Sequence, residues 1–252
     1  MISSRHAIVT GGSSGVGVAI VASLLRTEGV GKVFVTGQKP LHETALSGLL
    51  TDQRTNDRVL YSAGDTGDSS VVERQYAEAV GWFGGQPPGA LFLNAGIGGG
   101  RYELERFDVE RFDAIFRVNT RGPFLWLRTV LPALKEQKDV SQVVVTSSVA
   151  ALRGIANGGP YAASKWAVNG LVLSLREELK SSHPQVKCGL VCPGPIATSW
   201  WDEPSRGGRA PDAPPKPTHM LSAESVAEAC VSLLRQDASS NIEQIVLEPV
   251  LG

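Results

Sequence analysis

The stretch Ala7-Ile8-Val9-Thr10-Gly11-Gly12-Ser13-Ser14-Gly15-Val16-Gly17-Val18-Ala19-Ile20 decides the fold. It opens on a short apolar run, breaks at a cluster of glycines and continues as a helix candidate from Val16 to Glu28. In a unit of this kind the glycines remove side chains that would keep a pyrophosphate from the backbone. The helix that follows offers unpaired N–H groups and the positive end of its dipole. A tight strand-to-helix turn with no ligand uses the same residues, so the rest of the chain has to decide between the two. The stretch also mimics a signal-peptide core, because residues 7 to 25 carry no charge and follow Arg5. The Gly11 to Gly15 cluster in its middle breaks an apolar helix and argues against that reading.

Outward from this unit, short runs rich in Val, Ile and Phe alternate with longer stretches of helical period. The strand candidates are Ala7 to Thr10, Lys32 to Thr36, Arg58 to Ser62, Ala90 to Asn94, Gln142 to Ser147, Val186 to Cys192 and Ile242 to Leu247. Helix candidates lie between them. They are Val16 to Glu28, Ser69 to Phe83, a long one from Asp108 to Glu136, Tyr161 to Lys180 and Ser222 to Arg235. Apolar residues recur on one face of several, as Val72, Tyr76, Val80 and Phe83, as Leu171, Leu175 and Leu179, and as Val226, Cys230 and Leu233. Pro123 and Pro132 are expected to kink or divide the long helix. The alternation predicts the α/β class: a Rossmann-type doubly wound parallel sheet of about seven strands, with helices on both faces. One domain spanning residues 1–252 is expected. The segment 199–219, with Trp200, Trp201 and prolines at 204, 211, 214, 215 and 217, reads as a substrate lid.

Composition narrows the function. The chain has 252 residues, 42% hydrophobic and 19% charged, with 24 Lys+Arg against 25 Asp+Glu. No surplus positive field exists to hold nucleic acid or an anionic membrane, and no run of roughly 20 apolar residues spans a bilayer. Three cysteines argue against a secreted disulfide framework. Cys188 and Cys192 share one strand candidate, which puts their Cα atoms roughly 13 Å apart, and a disulfide needs less than about 7 Å. With four histidines and no Asn-X-Ser/Thr sequon, neither a metal nor glycosylation is expected, and the chain reads as cytoplasmic.

The chemistry is carried further along. Tyr161 and Lys165 stand four residues apart at a helix start, on one face and one turn from each other. A phenol with its ordinary pKa of about 10 is a poor acid-base group at neutral pH, and a fixed ammonium beside it favours the phenolate. The fifth strand candidate ends in Ser147-Ser148, at the carboxyl edge where open α/β sheets bind ligands. A hydroxyl there donates a hydrogen bond to a substrate carbonyl, or merely closes the strand.

Taken together these elements resemble the compact branch of the short-chain dehydrogenase/reductase family over nearly the whole chain. The motifs that carry the resemblance are Thr10-Gly11-x-x-x-Gly15-x-Gly17, Asp65, Asn94-Ala95-Gly96, Asn119, Ser148, Tyr161-x-x-x-Lys165 and Pro193-Gly194-x-Ile196-x-Thr198. The resemblance implies that Tyr161 is the proton donor in carbonyl reduction and the base in alcohol oxidation. It further implies that Lys165 lowers the phenol pKa and holds the nicotinamide ribose, that Ser148 polarises the substrate oxygen, and that Asn119 keeps a water in a proton relay. The dinucleotide would be lined by Gly11, Ser13, Ser14, Gly15, Val16 and Gly17 in the glycine loop, and by Asn94, Ala95 and Gly96. Pro193, Gly194, Ile196 and Thr198 would line it after the sixth strand, and Asp65 would meet the adenine.

Choice of cofactor is read at the end of the second strand, in Val35-Thr36-Gly37-Gln38-Lys39. A carboxylate near here suits the ribose hydroxyls of NAD, whereas a 2′-phosphate needs positive charge and no carboxylate. Gly37 stands where NAD-using relatives carry Asp, and Lys39 supplies a positive charge, so Gln38 and Lys39 are expected to favour NADP(H) over NAD(H). Three departures from the pattern stand out: Leu93 before Asn94, Pro160 before Tyr161, and the ending Ile245 to Val250. The expected partner is a small-molecule carbonyl or alcohol, and the chain is expected to form a homodimer or homotetramer through the face carrying Phe112, Phe116, Phe124 and Trp126. The rival function is a non-catalytic dinucleotide-binding sensor or scaffold. An epimerase or dehydratase of the extended branch would need a C-terminal substrate domain, and only 54 residues (252 minus 198) follow Thr198.

Overall fold

The protein is described by a computed structural model over residues 5–203 and 216–250. The first strand, β1 (Arg5–Thr10), enters the glycine loop and α1 (Gly15–Arg26). Then come β2 (Val30–Gly37), two four-residue helical turns α2 (Leu46–Leu49) and α3 (Gln53–Asn56), β3 (Val59–Ala63) and α4 (Ser69–Trp82). The second half holds β4 (Ala90–Leu93), α5 (Val109–Phe116), α6 (Gly122–Glu136), β5 (Ser141–Thr146), α7 (Gly159–Leu179), β6 (Val186–Pro193), α8 (Ala223–Ser232) and β7 (Gln244–Leu247).

All seven strands form one parallel sheet in the order β3-β2-β1-β4-β5-β6-β7. The chain winds outward from β1 to β3, then returns to the centre at β4 and winds the other way. Strand residues alternate between the two faces. Ile8 and Phe34 pack with α4, α6 and α7, while Ala7, Val9, Val33 and Val35 pack with α1 and α8. Trp126 of α6 is fully buried in the first layer, and Ile20, Leu24, Val226 and Cys230 close the second. At about 25 cal/mol per Å² of apolar surface removed from water, these two layers hold the sheet.

Several sequence expectations are corrected by packing. On α4 the buried residues are Val72, Gln75 and Ala79, followed by Phe83, because Gln75 donates to the Ser62 carbonyl at 3.1 Å and earns its buried position. The long helix candidate divides just before Pro123 and runs on through Pro132. It begins as α5, capped by the Asp108 carboxylate on Arg111 N, and changes to a π-helical turn over Arg117–Arg121. Pro123 then sits in the first turn of α6, where its missing N–H costs nothing, and Pro132 lies inside α6. Helix α7 starts two residues before Tyr161, with Pro160 again in a first turn. The three cysteines are buried free thiols. Among the described residues no helix is long and apolar enough to cross a membrane.

Candidate active site

The loops after β1 through β6 meet at the carboxyl edge of the sheet around a cavity of about 650 Å³. It lies where the winding reverses between β1 and β4, the place at which open parallel sheets leave a crevice.

One arm of the cavity is built by β1, β2 and β4. The buried Thr10 hydroxyl accepts from the backbone N–H groups of Asn94 (3.1 Å) and Ala95 (3.2 Å), and Asn94 Nδ2 donates to the Gly11 carbonyl at 3.1 Å. These bonds staple the glycine loop to the end of β4 and set the shape of the floor. Gly11, Ser13, Ser14, Gly15 and Val16 line the cavity, as do Gln38, Lys39, Asp65, Asn94, Ala95 and Gly96. Gly17 does not. It lies within α1, where an added Cβ would stand 2.1 Å from the Gly11 carbonyl oxygen, so its part is close packing of helix on loop. The first turn of α1 carries no acid, which leaves its positive end facing the cavity for an anionic group. The Asp65 carboxylate is already engaged: it accepts from Gly67 N at 2.8 Å and from Arg117 at 2.8 and 2.9 Å. Lys39 and Gln38 are exposed at the rim, and among the described residues no ion pair involves Lys39.

The other arm brings Ser148, Tyr161 and Lys165 together. Ser148 stands two residues beyond β5 and accepts from Ala150 N at 3.1 Å, which fixes its hydroxyl at the cavity wall. Tyr161 and Lys165 project from the first turns of α7, and the Lys165 ammonium donates to the Thr146 carbonyl at 2.9 Å. Burial pushes the Tyr161 phenol up to about 12, against a downward pull from its hydrogen bond with Ser148. Burial likewise brings Lys165 down to about 8, with the nearby Cys192 thiol opposing. Of the causes that move the phenol, burial is the larger and the Ser148 hydrogen bond opposes it. The Lys165 ammonium, one turn along α7, directs its hydrogen bond to the Thr146 carbonyl.

Asn119 stands on the π-helical turn but its side chain does not reach the cavity. Its Oδ1 accepts from Ile97 N at 2.8 Å, and its Nδ2 donates to the Ile97 carbonyl at 2.8 Å and to Ser164 Oγ at 3.0 Å. Both Nδ2 hydrogens and one lone pair of Oδ1 are spent on protein, so the side chain braces the β4 loop against α7 and keeps one lone pair of Oδ1 open.

Beyond the phenol, the wall comes from residues after β6. Pro193, Gly194, Ile196 and Thr198 line the cavity, followed by Trp200 and Trp201. Trp201 donates its indole N–H to the Ile196 carbonyl at 2.7 Å, and the Thr198 hydroxyl accepts from Trp200 N at 3.4 Å. So held, Trp200 meets Tyr161 edge to face at 5.9 Å between centroids. Of the expected lid, residues 204–215 lie outside the described residues. Sequence reasoning missed Thr10 as a clasp and Ile155 and Arg153 as lining. Thr10 was legible as the residue before Gly11, whereas Ile155 and Arg153 sit in a loop with no motif. Arg153 is paired with Glu248 at 2.6 Å.

The comparisons agree with this geometry. The family described as short chain dehydrogenase matches residues 5–207. A 2-(R)-hydroxypropyl-CoM dehydrogenase of Xanthobacter autotrophicus is 34% identical over 248 residues, covering 94% of this chain and 93% of that one. Levodione reductase of Leifsonia aquatica is 33% identical over 194 residues, 77% of this chain and 70% of its own. Among solved structures, an alcohol dehydrogenase from the archaeon Thermococcus sibiricus complexed with 5-hydroxy-NADP superimposes with a TM-score of 0.79 at 28% identity, covering 96% of this chain and 95% of that one. A chain with this sheet, this convergence of Ser148, Tyr161 and Lys165, and these relatives belongs to the short-chain dehydrogenase family and is an NAD(P)-dependent dehydrogenase/reductase.

Proposed function

We propose that the protein interconverts a carbonyl and a secondary alcohol on a small molecule, with NADP(H) favoured over NAD(H). The observation that carries the reading is a single cavity with Lys39 and the α1 N-terminus in one arm and Ser148, Tyr161 and Lys165 in the other. The dinucleotide, when bound, supplies the redox chemistry by giving or taking a hydride. Gly11, Ser13, Ser14, Gly15 and Val16 would hold its pyrophosphate, and Asn94, Ala95 and Gly96 would support it from β4. Pro193, Gly194, Ile196 and Thr198 would hold the nicotinamide end.

In the reducing direction burial keeps the Tyr161 phenol protonated, so the proton is in place, and its release calls for a neighbour that favours the phenolate. Its proton passes to the substrate oxygen as that oxygen gains negative charge, and Ser148 donates a second hydrogen bond to the same oxygen. The phenolate left behind is stabilised by Lys165, which burial makes easier to deprotonate and so able to pass a proton on. In the oxidising direction the same groups act in reverse.

Gly37 leaves no carboxylate near the adenosine ribose, Lys39 offers a positive charge, and the Thermococcus relative is complexed with an NADP derivative. Homo-oligomer formation is supported by a groove lined by Phe116, Phe124, Ala167, Gly170 and Leu171 on α5, α6 and α7. Phe124 is exposed there and Phe112 is exposed on α5 outside the groove lining, while Trp126, counted with them in the sequence, belongs to the core. The test is a fluorescence titration with NADPH and NADH, followed by NADPH oxidation over a panel of ketones and aldehydes. Tighter NADPH binding and turnover of at least one carbonyl support the reading, and preference for NADH overturns its cofactor half.

A further inference from the structure

We propose that Tyr61 is the positioning residue that fixes cofactor choice, by filling the place where a discriminating carboxylate would stand and by holding the Lys39 turn. The proposal rests on the NADP(H) reading above. Tyr61 belongs to β3, opposite Val35 of β2, and belongs to none of the nucleotide motifs. Its hydroxyl donates to the Lys39 carbonyl at 2.5 Å. A Cβ on Gly37 would stand 2.5 Å from that hydroxyl, 2.6 Å from Ser13 Oγ and 2.8 Å from Ser13 Cβ.

Gly37 is not among the glycines with positive φ, so its backbone does not demand glycine and space alone does. Even the first carbon of an aspartate would displace the Tyr61 ring or the Ser13 loop. Carboxylate exclusion is therefore built from Tyr61 of β3 together with Ser13 of the glycine loop. The same hydroxyl ties down the main chain of the turn that presents the Lys39 ammonium to the cavity rim, so the ligand chemistry served is a phosphomonoester on the adenosine ribose.

The test titrates the full chain with NADPH and NADH for the wild type, Tyr61→Phe, Gly37→Asp and Gly37→Asp/Tyr61→Ala, with thermal unfolding as the folding control. Tyr61→Phe keeps the ring and removes one hydrogen bond. It should weaken NADPH by roughly threefold to tenfold and leave NADH within about twofold. Gly37→Asp alone should weaken both cofactors, and adding Tyr61→Ala, which clears the nearest contact and leaves only Ser13 to shift, should recover NADH in part and NADPH not at all. The proposal is overturned if Tyr61→Phe moves both cofactors equally or neither, or if Gly37→Asp alone converts the protein to tight NADH binding. A wild type that prefers NADH sinks the NADP(H) reading and the Lys39 half of this proposal. The Gly37→Asp pair would still decide the packing half.

Discussion

The Lys165 ammonium stands 5.8 Å from the centre of the Tyr161 ring and gives its hydrogen bond to the Thr146 carbonyl at 2.9 Å. The two groups are neighbours without forming an ion pair, and each is driven by burial toward its neutral form. That arrangement suits a donor phenol backed by a readily deprotonated amine, and it has consequences that can be measured.

The first concerns stability. The unfolded chain keeps the Lys165 proton up to its ordinary value of 10.5, while the folded chain releases it at about 8. Between those values the unfolded state binds more protons, so stability rises with pH. The cost of burying the charged amine is fully present below the lower value and relieved by the upper. Relative to Lys165→Met, the wild type should gain roughly 3 kcal/mol in urea unfolding between about pH 7 and about pH 10. An unchanged difference between the two proteins across that window would show that the amine is not desolvated.

Cofactor charge is tested at the other arm. Lys39→Ala should weaken NADPH roughly tenfold and leave NADH nearly unchanged, as expected for loss of one exposed charge facing a phosphate. Equal weakening of both would remove Lys39 from the choice.

Asn119 gives a prediction about folding as well as rate. Asn119→Ala leaves the Ile97 N–H and carbonyl without their partner, which should cost about 1–3 kcal/mol of stability. Turnover should fall through disorder of the β4 loop. A variant of wild-type stability with a changed solvent isotope effect would instead restore a proton-relay role.

The cysteines should be silent. Cys188, Cys192 and Cys230 are buried, and burial pushes Cys188 and Cys230 up to about 12. None should react with an alkylating reagent until the chain unfolds, so mass spectrometry of the native protein should find no adduct. Rapid labelling without loss of structure would contradict the packing around β6 and α8.

Much of this was legible in the sequence because it is local. The β1 run, the glycine turn, the Tyr161 and Lys165 spacing and the period-2 strands all follow from neighbours in the chain. What was not legible depends on residues brought together by the fold. The Asp65 carboxylate looks available until Arg117 arrives from the π-helical turn. The brace that Asn119 makes to Ile97 and Ser164 joins residues 22 and 45 positions away and leaves no local signal. Trp126 looks like a surface aromatic beside Phe124, but the roughly 200° of helix rotation between them sends it into the core. Tyr61 carries no motif at all, and its meaning appears only where β3 lies beside β2.

The most direct test of the account is the turnover of Tyr161→Phe beside its cofactor affinity. The variant keeps the ring against Trp200 and removes only the transferable proton. With a carbonyl that the wild type reduces, kcat should fall by roughly two to four orders of magnitude while NADPH binds as before. A variant that retains wild-type kcat would contradict the assignment of Tyr161 as proton donor, and with it the reaction proposed for this site.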